Sequence, residues 1–166
     1  MKSAKYVAFH GLLIALAMII SYVESLIPVF TSLPGVKLGL TNVVIITALY
    51  LFGWKSALII NIIRILLVGF SFGNAMSLAC SLAGGIFSFV VMVLLKKTGK
   101  FGIIPVSAAG GVAHNTGQIL AVILLLQTTA FSWYLPILWF SGIVSGIVTG
   151  ILGGILCKRL KNVLKF

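Results

Sequence analysis

The sequence predicts an all-α membrane protein, a bundle of six transmembrane helices. Three observations lead there. Of 166 residues, 61% are hydrophobic and 8% are charged, too few polar groups to cover a soluble domain of this size. The apolar runs are continuous and long enough to cross a bilayer, which takes about 20 residues in a helix. The charges fall almost wholly in the gaps between those runs. Backbone in lipid must be satisfied internally, so the choice is helices or a closed barrel. Barrel strands are short alternating segments, unlike these runs.

The first helix is expected from Tyr6 to Ile27, ended by Pro28 and then Pro34-Gly35. Lys2 and Lys5 before an apolar run resemble a signal peptide, but the run continues to Ile27 without a small-residue cleavage site, which predicts a retained helix. Val29 to Gly39 forms an external connection, partly re-entrant. Leu40 to Phe52 is a second apolar stretch, short for a full span. Gly53-Trp54-Lys55 makes a turn, and a third helix covers Ser56 to Val68. Gly69 to Asn74 forms the next turn. The fourth helix runs from Ala75 to Leu95 and the fifth from Ile103 to Gln127. Thr129 to Tyr134 is an interfacial loop, and the sixth helix covers Leu135 to Leu156. Residues 1–166 are expected to form one integral membrane domain.

Charge fixes the expected topology. With six crossings and the N-terminus inside, the inner gaps hold Lys2, Lys5, Lys55, Lys96, Lys97, Lys100, Lys158, Arg159, Lys161 and Lys165. The outer gaps hold only Lys37. That asymmetry predicts both termini in the cytoplasm of a cell-membrane protein. It also accounts for the formal charge of +11 without nucleic acid. The connections leave no room for an ATPase domain, and there is no phosphate-binding Gly-rich loop ending in Lys and Ser or Thr.

Two charges lie inside apolar runs: Glu24, the single acidic residue, and Arg64. Ionisable groups within a membrane are costly and often functional. Two readings stand: a structural Glu24–Arg64 ion pair, or side chains lining a cavity open to the outside. Asn61 shares a helical face with Arg64. In the fifth helix, His114 and Gln118 share a face, with Asn115 beside them; they either bond neighbouring helices or touch a ligand. Asn42 and Asn74 begin or cap helices or join the same pocket. Glu24, Lys37, Asn42, Arg64 and Asn74 map to the outer side, with His114 nearer mid-depth. Together with Asn115 and Gln118 they form the candidate ligand site, suited to an anionic or amphipathic small molecule.

Other chemistry is sparse. Cys80 and Cys157 are far apart in apolar context, with neither a disulfide pattern nor metal-ligand spacing. No metal or cofactor is expected. With no aspartate and no paired carboxylates, the chain is not expected to be an enzyme by itself. Gly142, Gly146, Gly150 and Gly154 repeat every four residues, a spacing that allows close helix approach. Ala8, Gly11 and Ala15 form a looser row on the first helix. These rows serve packing within the bundle or docking of a partner.

The segments PGVKLGLTN (Pro34 to Asn42) and GGVAHNTGQI (Gly110 to Ile119), with the Gly-rich turn before Asn74, resemble the small membrane proteins labelled heptaprenyl diphosphate synthase component I, or Gx transporter family. That family is similar in size and layout to the substrate-binding S components of energy-coupling factor (ECF) transporters. The similarity implies capture of a small molecule from outside, with the connection Val29 to Gly39, including Lys37, gating the site. It also implies docking, through Ala8, Gly11 and Ala15, on a membrane coupling protein that carries two cytoplasmic ATPases. The family label itself implies another role, a non-transporting membrane subunit of a prenyl diphosphate synthase or quinone-pathway complex.

Overall fold

The computed structural model describes residues 2–26, 37 and 39–164, with side chains placed from Tyr6 to Asn162 apart from the gap before Gly39. The order is α1 (Lys2–Leu26), α2 (Asn42–Leu51), α3 (Trp54–Phe72), α4 (Ala75–Lys97), α5 (Ile103–Leu126), a 3-10 turn (Ala130–Tyr134) and α6 (Leu135–Leu164). Five helices are long and apolar enough to cross a membrane, and α2 is the short one. The protein is a polytopic helical membrane bundle.

Several boundaries differ from expectation: α1 already begins at Lys2 and α3 at Trp54, inside the expected turn. The third helix continues to Phe72, because a single glycine, Gly69, is tolerated inside a helix; the turn shrinks to Gly73 and Asn74. The sixth helix continues through its basic tail to Leu164, where Lys and Arg are good helix formers and suit a helix C-terminus. Most of the expected gating connection, Val29 to Gly39, lies outside the described residues.

α2 explains its own shortness. Its 10 residues span about 15 Å, half the hydrocarbon thickness of about 30 Å. It is apolar on every side, as a fully enclosed helix must be; Asn42 through Leu49 are all buried. It is a half-span packed among the longer helices, and residues 39–41 bring its N-terminus to the level of His114, near the middle of α5.

A buried helix end needs partners for its orphan backbone groups. Both ends of α2 borrow a charge from another helix. At its N-terminus the Glu24 carboxylate of α1 accepts the Gly39 N–H, and it also accepts from the Leu40 N–H at 3.4 Å and from Thr41 Oγ1 at 3.3 Å. At its C-terminus the Lys96 ammonium of α4 donates to the Leu49 carbonyl and lies 4.7 Å from the Tyr50 ring centre. Both signs match the helix dipole, anion at the N-terminus and cation at the C-terminus.

The basic gaps gather at one end of the bundle. Tyr6 Oη of α1 meets Ser56 Oγ of α3 at 2.6 Å, and Tyr6 and His10 pack on Phe52. Cys157 of α6 contacts the Thr47 carbonyl of α2. The start of α1, the α2–α3 turn, the end of α4 and the last third of α6 therefore share one end. The glycine row of α6 packs on α5. A Cβ on Gly142 would meet Gly111 O at 2.8 Å, and one on Gly146 would meet Ala108 Cα at 2.6 Å. Ser107 and Thr149 bond across the same seam at 2.9 Å.

Candidate functional site

The polar residues inside the bundle are positioned by four elements. α1 turns one narrow stripe inward, Leu13, Ala17, Ser21 and Glu24, spaced three or four residues apart as one helical face requires. Ser21 Oγ and Thr41 Oγ1 are 2.8 Å apart, beside the Glu24 contacts. Glu24 is 5% exposed, and its hydrogen bonds go to the loop that starts α2.

α3 supplies Arg64. Its Nε and Nη2 both donate to Asn61 Oδ1, at 3.2 and 3.0 Å. Asn61 Nδ2 in turn donates to the Gly85 carbonyl of α4 at 3.1 Å. This chain fixes the planar fork of the guanidinium, whose remaining donors make no hydrogen bond among the described residues. The ion pair that the sequence offers between Glu24 and Arg64 is not formed. Each charge is occupied by neutral partners instead, because α2's N-terminus lies closer to Glu24.

α5 supplies the clamp on the loop. With the Gln118 amide oriented to satisfy its neighbours, Nε2 donates to the Lys37 carbonyl at 3.0 Å. Oε1 accepts from the Lys37 N–H at 3.2 Å and from His114 Nε2 at 3.2 Å. Gln118 thus holds Lys37 by its backbone, as a neighbouring β-strand would. Gly39 has φ +81°, and a Cβ there would lie 3.0 Å from His114 Cδ2 and 3.2 Å from Asn42 Nδ2, so only glycine fits. His114 and Gln118 also press on Gly84 of α4, where a Cβ would meet Gln118 Cγ at 2.8 Å.

The Lys37 side chain is half-buried, within Coulombic reach of Glu24, Arg64 and Cys80. Burial pulls its pKa below the usual lysine value; Glu24 opposes that shift and Arg64 adds to it. Its ammonium has no hydrogen bond or ion pair among the described residues. The site thus holds two cations without an anionic partner of their own, next to a helix N-terminus whose partial positive charge Glu24 already answers.

Of the sequence candidates, Glu24, Lys37, Asn42, Arg64, His114 and Gln118 converge here. Two do not. Asn115 faces α6 and donates from Nδ2 to the Leu138 carbonyl at 2.6 Å. Asn74 is exposed and caps α4, its Oδ1 accepting from the Ser77 N–H at 2.7 Å. Sequence reasoning missed Ser21 and Thr41, the polar pair behind Glu24, and Gly84 and Gly85, which admit Gln118 and Asn61. Ser21 was detectable from its three-residue spacing to Glu24. No metal site with three or more His, Cys, Asp or Glu occurs among the described residues.

An apolar bundle with a half-helix ending at mid-depth, and polar groups gathered around that end, defines a class: membrane proteins that keep irregular backbone only where protein encloses it. The family model for heptaprenyl diphosphate synthase component I matches residues 13–156. The chain belongs to that family, whose name denotes one component of a synthase. Comparison with curated proteins and with solved structures finds no match in either set.

Proposed function

We propose that this chain is a substrate-capture subunit, an S component of an ECF-type importer, which takes a small anionic or amphipathic ligand from the outer side of the cell membrane. One observation carries the reading. Lys37 and Arg64 sit together in the bundle with neither in an ion pair among the described residues, and the one carboxylate within Coulombic reach of both, Glu24, gives its hydrogen bonds to the start of α2. Uncompensated charge in a membrane is costly, and an anionic ligand would relieve it. Asn42, His114 and Gln118 line the same region, and the apolar surround suits a hydrophobic body.

The two small-residue rows support a division of labour. Gly142, Gly146 and Gly150 are used up against α5, where each lacks room for a Cβ. Ala8, Gly11 and Ala15 face outward on α1, and a Cβ on Gly11 would meet nothing within 4 Å. That free face is where a coupling protein, carrying two cytoplasmic ATPases, would dock. Both termini would then lie in the cytoplasm, with the basic end of the bundle.

The family name favours a second reading, a non-transporting membrane subunit of a prenyl diphosphate synthase or quinone-pathway complex. Catalysis would rest with another chain, since this one has no aspartate and its one glutamate is engaged by the loop. Gentle solubilisation and mass spectrometry of the intact assembly separate the two. The importer reading expects a membrane coupling protein and ATPases bound to the chain. A soluble prenyltransferase in their place, with synthase activity that depends on both chains, would replace it by the second reading.

A further inference from the structure

The glycine row that locks α6 to α5 loosens toward the basic end. A Cβ on Gly150 would still meet Ile104 Cα at 2.9 Å, but one on Gly154 would meet only a side-chain methyl, Ile103 Cγ2, at 3.5 Å. The two helices part there and leave a cleft of about 240 Å³. Ile103 and Ile104 form one wall, Ile151 and Ile155 the other, and Lys158 stands at the rim. Ile104, Ile151 and Ile155 are partly exposed on the outside of the bundle, so the cleft opens toward lipid.

Its rim is positive from two sources. Lys158 supplies a full charge on α6. The N-cap of α5 is Gly102, which has no side chain to bond the first N–H groups. Pro105 has no N–H and the Val106 N–H bonds the Gly102 carbonyl at 3.3 Å, so the start of that 24-residue helix presents two free donors, the Ile103 and Ile104 N–H groups, and the positive end of its dipole. A transmembrane helix, about 10–12 Å across with its side chains, cannot enter a cleft of this size. A single unbranched hydrocarbon chain can.

We propose that this cleft holds one acyl chain of an anionic phospholipid, with the phosphate against Lys158 and the first N–H groups of α5. Basic pockets between helices at the cytoplasmic face suit such headgroups. The site is separate from the residues around Lys37 and does not depend on what they bind.

The test uses the full chain in micelles doped with phosphatidylglycerol or with phosphatidylcholine of the same acyl chains, and native mass spectrometry to count retained lipid. The expected result is retention of one phosphatidylglycerol. Lys158→Gln lowers that retention about fivefold and leaves phosphatidylcholine unaffected. Gly154→Leu, which fills the cleft, lowers it at least as much. Lys97→Gln, on the end of α4, leaves it unchanged. Lys158 is exposed, so its variant leaves the fold intact and decides the matter even where Gly154→Leu does not fold. Equal retention of the two lipids, or retention by Lys158→Gln equal to that of the unaltered chain, overturns the proposal.

Discussion

The carboxylate of Glu24, near the end of α1, accepts the backbone N–H of Gly39, three residues before α2 begins. The single acidic side chain of the protein is thus bonded to the start of a buried half-helix, and Arg64 is left to Asn61. This arrangement turns a charge that membrane insertion should disfavour into a structural anchor, and it leaves both cations of the site without an ion pair among the described residues, two positive charges to one carboxylate.

Glu24→Gln keeps the shape of the anchor and removes its charge. Hydrogen bonds to a charged group contribute about 1.5–3 kcal/mol, so stability should fall by about that amount in a thermal or denaturant titration of the purified protein. Adding Arg64→Gln should show a coupling of about 0.5–1.5 kcal/mol, the through-space attraction of two buried charges that share no hydrogen bond. A coupling near about 3 kcal/mol would restore the direct ion pair.

Gln118→Leu preserves volume but releases the backbone of Lys37. Losing a hydrogen-bonded clamp of about 1.4 kcal/mol corresponds to a tenfold change in local opening. Hydrogen exchange at the Lys37 amide should therefore rise about tenfold, with the α5–α6 seam unchanged. Unaltered exchange at Lys37 would show that Gln118 does not hold the loop.

The two small-residue rows should respond differently. Gly142→Leu forces a side chain onto the Gly111 carbonyl, 2.8 Å from the new Cβ, and overpacking of this kind costs about 1–3 kcal/mol. Gly11→Leu meets nothing within 4 Å and should leave the isolated protein as stable as before while weakening assembly with its partner. Thermal stability of each variant, measured beside co-purification, separates packing from docking. Equal losses of stability in both would assign α1's row to the interior.

Much of this was legible in the sequence because membrane topology is written in composition. Continuous apolar runs gave the helices, and the lysines between them gave the shared basic end. The convergence of Glu24, Lys37, Arg64, His114 and Gln118 followed from asking which polar residues topology does not need. Pairings were not legible, since they depend on depth. α2 stops at mid-membrane, so its N-terminus takes Glu24 before Arg64 can. Asn115 and His114 are adjacent in sequence but point about 100° apart on a helix, which sends one to α6 and the other to the loop. Helix ends were misjudged at Gly69 and after Leu156, where neighbouring residues favour helix more than one glycine or a basic tail opposes it.

The central claim is that Lys37 and Arg64 hold an anionic ligand. Native mass spectrometry of gently solubilised protein tests it most directly, comparing the unaltered chain with Lys37→Gln, Arg64→Gln and, as a control on the exposed cap of α4, Asn74→Ala. The account predicts a bound small anion in the unaltered chain and in Asn74→Ala, and at least tenfold less in both cation variants, since truncating one partner of a buried charge pair costs about 2 kcal/mol or more. A ligand held equally well by Arg64→Gln, or a chain that carries no ligand when still assembled with its partners, would contradict it.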